Sequence, residues 1–119
     1  MAKKKVEEKI KLDPLKELSE KIDAFNKERD WDQFHSPANL AKSISIEANE
    51  LLECFQWDND NYNLEDVKEE LADVMIYCLQ MAIQLGVNTI EIMKNKMDKN
   101  AKKYPVEKAK GTSAKYDKL

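Results

Sequence analysis

The sequence predicts an all-α protein, a bundle of four helices formed by a single short chain. Three observations carry that reading. Only two glycines and three prolines interrupt 119 residues, so little breaks a helix. Charged residues make up 36% of the chain and are mostly Lys and Glu, which favour exposed helix positions. Apolar residues recur at three- and four-residue spacing and do not alternate as in strands. A chain of this length buries a modest core.

The elements follow from their ends. Residues 1–12 are rich in Lys and Glu and are expected to form a flexible N-terminus. Asp13-Pro14 supplies a cap and a first helical residue, and Leu15, Leu18, Ile22 and Phe25 form the apolar stripe of a helix ending near Arg29. Asp30 to His35 is expected as a loop. Ser36-Pro37 repeats the cap-and-proline start of a second helix reaching about Phe55, with Leu40, Ile44, Leu51 and Phe55 in register. A polar turn, Trp57 to Asn63, leads to a third helix closed by Gly86. Asn88 or Thr89 opens a fourth, which carries Ile90, Met93 and Met97 and ends before Pro105. The domain is thus expected over 13–105, followed by a basic tail over 106–119.

Short connections make neighbouring helices antiparallel. The third helix is apolar nearly all round from Leu71 to Ile83, with Asp73 its only charged residue. Such a helix needs cover on every side, which predicts self-association through the helices.

Several classes are excluded. No apolar run approaches the roughly 20 residues of a membrane span. Met1-Ala2-Lys3-Lys4-Lys5 lacks the apolar region of a secretory signal. Cys54 and Cys78, in apolar helical stretches, suit a reducing compartment, and a cytoplasmic location is expected. Residues 94–119 carry nine Lys against three acids, whereas residues 1–93 hold 11 basic and 20 acidic residues. An acidic body with a basic tail is the reverse of a nucleic-acid-binding domain. It suits a site for cations beside something anionic, or simply a solvated lysine-rich tail.

The chemistry lies in two acidic pairs. Glu47 falls in the apolar register of the second helix with Glu50 three residues on, and Glu70 and Asp73 are three apart on the third. Residues i and i+3 project from one helix face. Ionised carboxylates brought together and partly buried repel, and need a counter-charge. Residues 43–67 contain no Lys or Arg to supply it. A divalent cation would, and Mg²⁺ favours oxygen ligands and bridges carboxylates to phosphates. The plainer alternative leaves Glu50 and Glu70 on the surface, with Glu47 and Asp73 as isolated buried acids. Zinc and di-iron sites lack their ligands, since His35 is the sole histidine. No glycine-rich phosphate loop occurs.

Glu47-Ala-Asn-Glu50 with Glu70-Leu-Ala-Asp73 resembles the E-x-x-E and E-x-x-D signature of the all-α MazG-like nucleotide pyrophosphohydrolases. Glu28-Arg-Asp-Trp-Asp-Gln-Phe-His35, Phe55-Gln-Trp57, Lys96-Met-Asp98, Asn100, Tyr104-Pro105 and Gly111-Thr-Ser-Ala-Lys-Tyr116 are similar to their dCTP pyrophosphatase branch. The similarity runs from about Phe25 to Tyr116. It implies Mg²⁺-dependent hydrolysis of a dCTP-like nucleoside triphosphate to the monophosphate and pyrophosphate, in a homodimer or homotetramer. Glu47, Glu50, Glu70 and Asp73 would be the metal ligands, with Glu47 or Glu50 the general base. Trp31, Trp57 and Tyr77 would surround the base, Lys96 and Asn100 would reach the nucleotide, and Lys115 the phosphates. Ile22 stands where close relatives carry a histidine, which leaves base preference open. Two other readings are a broader NTP or dUTP pyrophosphohydrolase and a non-enzymatic helical interaction protein.

Overall fold

The computed structural model describes residues 13–119, and the expected N-terminal segment 1–12 lies outside them. Four long helices occur: α1 (Pro14–Glu28), α2 (Pro37–Glu53), α3 (Leu64–Leu85) and α4 (Thr89–Lys103). A four-residue helix, α5 (Val106–Ala109), and 3₁₀ turns at Asp32–Phe34 and Tyr116–Lys118 complete the chain. No strand occurs among the described residues. The chain divides into two compact units at Gly86, residues 13–86 and 87–119.

Each long helix starts where short polar side chains capture its free N–H groups. Asp13 accepts from the Leu15 amide at 3.1 Å, Ser36 from Asn39 at 3.1 Å, Asn63 from Asp66 at 3.1 Å and Asn88 from Glu91 at 2.9 Å. Pro14 and Pro37 occupy first-turn positions that need no donor. Gly86 ends α3 in the left-handed conformation, φ 65°, which costs glycine little.

In the first unit α3 packs against both α1 and α2. Leu40 of α2 is fully buried, and Ile22 of α1 with Leu79 and Ala82 of α3 completes a small core. On α3, Leu71, Met75, Cys78 and Leu85 remain exposed, Met75 by 58%. The apolar character that predicted cover on every side therefore leaves one face of α3 uncovered within the chain. Where a polar turn is expected between α2 and α3, the Phe55 and Tyr62 rings pack at 4.8 Å. Asp58 accepts there from the amides of Asp60 and Asn61, and these bonds hold its carboxyl below the usual range.

The segment read as a loop after α1 is more ordered than expected. The Trp31 amide donates to the Asn26 carbonyl at 3.0 Å and the Asp30 amide to that of Lys27 at 3.1 Å. These paired bonds form a Schellman motif, with Asp30 at φ 54° where glycine is usual. The motif turns the chain into the Asp32–Phe34 3₁₀ turn and sets Trp31 edge-on to Phe25, ring centres 5.8 Å apart. Arg29 covers the other part of Phe25, its guanidinium 3.6 Å from the ring centre.

In the second unit the segment after Pro105 is anchored by aromatic contacts that apolar periodicity does not register. Tyr116 packs edge-on to Tyr104 at 6.3 Å and accepts the Lys103 ammonium over its ring at 4.8 Å.

A substitution at Asp30 separates backbone strain from side-chain chemistry. Asp30→Val should destabilise by about 1–2 kcal/mol in chemical denaturation, because a β-branched residue resists the left-handed region. Asp30→Gly should match or exceed the wild type.

Candidate active site

The acidic cluster is built by the pairing of α2 with α3. Glu47 and Glu50 lie one turn apart on α2, as Glu70 and Asp73 do on α3. Carboxylate oxygens of Glu47, Glu70 and Asp73 lie within 4.8 Å of one another. Glu50 stands close enough to Glu47 and Glu70 to raise both of their carboxyls, so the four acids act as one electrostatic group. Glu53, Asp66 and Glu69 do not join the three-oxygen cluster.

The electrostatics of this group are unfavourable as it stands. Glu47 Oε2 and Glu70 Oε2 are buried with no hydrogen-bond partner among the described residues. No ion pair reaches the cluster there, and Lys68 turns instead to Glu65 at 3.1 Å. Loss of water around Glu47, reinforced by Glu50, Asp73 and Glu70, pushes its carboxyl up to about 7. Glu70 is raised for the same reasons, burial first and Glu50 next. Two orphaned carboxylate oxygens facing further carboxylates are a donor set for a hard cation. A divalent metal fits the residues present.

Asp73 also lines a cleft of about 380 Å³ between α1 and α3. Its walls are Leu18, Ile22, Phe25 and Asn26 of α1, Trp31 and His35 after it, and Ile76, Tyr77 and Gln80 of α3. Tyr77 is held as a neutral phenol, since burial and then the charge of Glu47 raise its hydroxyl. Thus Trp31 and Tyr77 share one mainly apolar cleft that opens on the acids.

The remaining residues named from sequence belong to other elements. Trp57 is 89% exposed on the turn after α2 and does not line the cleft. Lys96 and Asn100 belong to α4 and Lys115 precedes the last 3₁₀ turn, all in the second unit. Lys96 and Lys115 are exposed there and Asn100 is half-buried.

Sequence reasoning missed Asn26 and Gln80, the buried polar side chains of the cleft. Asn26 stands one helical turn after Ile22, in the apolar register of α1, and Gln80 within the apolar run of α3. A polar residue in an apolar register is the signal that marked Glu47; without a charge, it drew no notice here.

An all-α chain with an E-x-x-E and an E-x-x-D helix joined at one acidic cluster has the make-up of the MazG-like proteins. The family model for these proteins matches residues 42–119, and the chain belongs to the MazG-like family. Among individual proteins it is similar to dCTP pyrophosphatase 1 of Mus musculus and of Homo sapiens. Each is 38% identical over 104 residues, which cover 80% of this chain and 61% of the relative. The chain therefore spans about three fifths of the length of these curated relatives. It is also similar to the crystal structure of a pyrophosphatase from Archaeoglobus fulgidus, with a TM-score of 0.70 and 40% identity. That match covers 79% of this chain and 94% of the other.

The acids make stability depend on pH in a determined direction. Glu47 and Glu70 bind protons more tightly folded than unfolded, where a glutamate titrates near 4.3. The Glu47 contribution is complete below that value and is lost as pH rises through about 7, and that of Glu70 runs in the same direction. With divalent cations chelated, the Tm should fall by roughly several degrees from pH 5 to pH 8. Glu47→Gln should flatten that slope.

Proposed function

We propose that the chain is a nucleoside triphosphate pyrophosphohydrolase. In this reading it hydrolyses a dCTP-like nucleotide to the monophosphate and pyrophosphate. The observation that carries the reading is Asp73, which belongs to the acidic cluster and to the wall of the aromatic cleft at once. A molecule with a planar base in the cleft and its phosphates at the acids spans both. The names and similarity of the pyrophosphatase relatives support the same chemistry.

Glu47, Glu50, Glu70 and Asp73 would hold Mg²⁺, which when bound neutralises triphosphate charge and makes water a better nucleophile. The carboxylates orient the attacking water, and Glu47 or Glu50 takes its proton. The water oxygen bonds to the α-phosphorus while the bond from that phosphorus to the bridging oxygen breaks. Pyrophosphate leaves with the electron pair.

Trp31 offers the base a π-face, held in place by Phe25. The Tyr77 ring walls the sugar and disfavours a 2′-hydroxyl. Lys96, Asn100 and Lys115 are assigned to the nucleotide and its phosphates, and Trp57 to the base. The exposure of Trp57 and of the Leu71–Met75–Cys78 face of α3 supports a homodimer or homotetramer in which both are covered. Among the described residues no single helix is long and apolar enough to cross a membrane. Both cysteines are free thiols, which fits a cytoplasmic site of action.

Pyrophosphate release from each dNTP and NTP, with Mg²⁺ and with EDTA, tests the reading. Mg²⁺-dependent turnover led by dCTP is expected, and folded protein that cleaves no nucleotide would sink it. Glu47→Gln and Asp73→Asn should each lower kcat by about 10²-fold or more. Neither should lower the Tm of the metal-free protein, because each relieves repulsion. Sedimentation should give a species larger than the 13.8 kDa chain.

A further inference from the structure

Asn26 is 3% exposed and Gln80 8% exposed, and they are the buried polar side chains of the first unit. Both line the cleft, one from α1 and the other from α3. The Asn26 Oδ1 and Gln80 Oε1 atoms have no hydrogen-bond partner among the described residues. Burying an amide oxygen unpaired is costly, and an apolar side chain at either position would avoid the cost. Both oxygens are closed to solvent as the side chains stand, so a ligand in the cleft that brings donors would meet them once the amides turn toward it.

Resting on the nucleotide-hydrolase reading, we propose that Asn26 and Gln80 select the base by its exocyclic amino group. The count of hydrogens decides between the pyrimidines. The 4-amino group of cytosine carries two N–H donors and can satisfy two carbonyl oxygens. Uracil and thymine present one ring N–H on that edge beside a carbonyl, so one oxygen stays unpaired. A buried polar group left unpaired discriminates more strongly than an apolar wall does.

The register of α3 supports the placement. Asp73, Tyr77 and Gln80 stand at i, i+4 and i+7 and so share one stripe of the helix. At 1.5 Å per residue the stripe runs about 10 Å from Asp73 to Gln80. It leads from the acids past the Tyr77 ring to the amide. A nucleotide aligned with it has phosphates at Asp73, sugar at Tyr77 and the far edge of the base at Gln80. Ile22, one turn before Asn26 on α1, is apolar and leaves base selection on that helix to the amide.

The test compares kcat/KM for dCTP and dUTP in the wild type, Asn26→Leu and Gln80→Met. Each substitution should cost dCTP about 10- to 100-fold, mainly through KM, and change dUTP by no more than about 3-fold. Gln80→Met should also melt at or above the wild-type temperature, since an unpaired oxygen is removed. An unchanged dCTP to dUTP ratio in both variants would overturn the proposal. A second measurement needs no substitution in the protein. Calorimetric binding to the wild type should rank deoxycytidine above both deoxyuridine and N4,N4-dimethyldeoxycytidine, which has lost both amino hydrogens. Equal binding of the dimethylated nucleoside would overturn the proposal as well. Nucleoside selectivity without turnover of any triphosphate would remove the hydrolase reading alone. Turnover without amino-group selectivity would remove this one alone.

Discussion

Repulsion among Glu47, Glu50, Glu70 and Asp73 is the constraint around which the first unit is arranged. The packing of α2 on α3 drives apolar side chains together and, in the same register, carries these acids into contact. Water is displaced from Glu47 Oε2 and Glu70 Oε2, and no lysine or arginine replaces it among the described residues. The fold thus holds a local state of high electrostatic energy that the hydrophobic contacts around Leu40, Leu79 and Ala82 must outweigh. That imbalance is what a divalent cation bound at the cluster would relieve.

Much of this was legible in the sequence because the signals are local. A helix start depends on one or two side chains, so Asp13-Pro14, Ser36-Pro37, Asn63 and Asn88 mark the four long helices directly. The acid pairs were legible because a charge in an apolar register is conspicuous and i, i+3 spacing fixes the face. The association of Glu50 with both helices, and the fact that Glu53 stands aside, required the packing of α2 against α3.

What escaped the sequence was non-local or uncharged. Asn26 and Gln80 are ordinary helix residues until α1 and α3 meet and bury them. The order after α1 depends on Asp30 accepting a left-handed backbone, which its residue type permits without announcing. The contacts of Tyr116 with Tyr104 and Lys103 join residues more than ten apart, beyond the reach of any helical period. Trp57, set beside Trp31 by the family resemblance, stands on a turn that leaves it exposed within the chain, which the sequence does not foretell.

The bond from the Trp31 amide to the Asn26 carbonyl separates two roles within one residue. The main chain of Asn26 fixes the aromatic wall, while its side chain faces the cleft. A change of side chain at this position keeps the carbonyl and therefore the placement of the indole. One wall of the cleft can thus acquire a new chemical preference through mutation while the opposite wall stays put. Under the proposed function, a change of side chain at the end of α1 would alter which nucleobase is preferred without the scaffold being rebuilt.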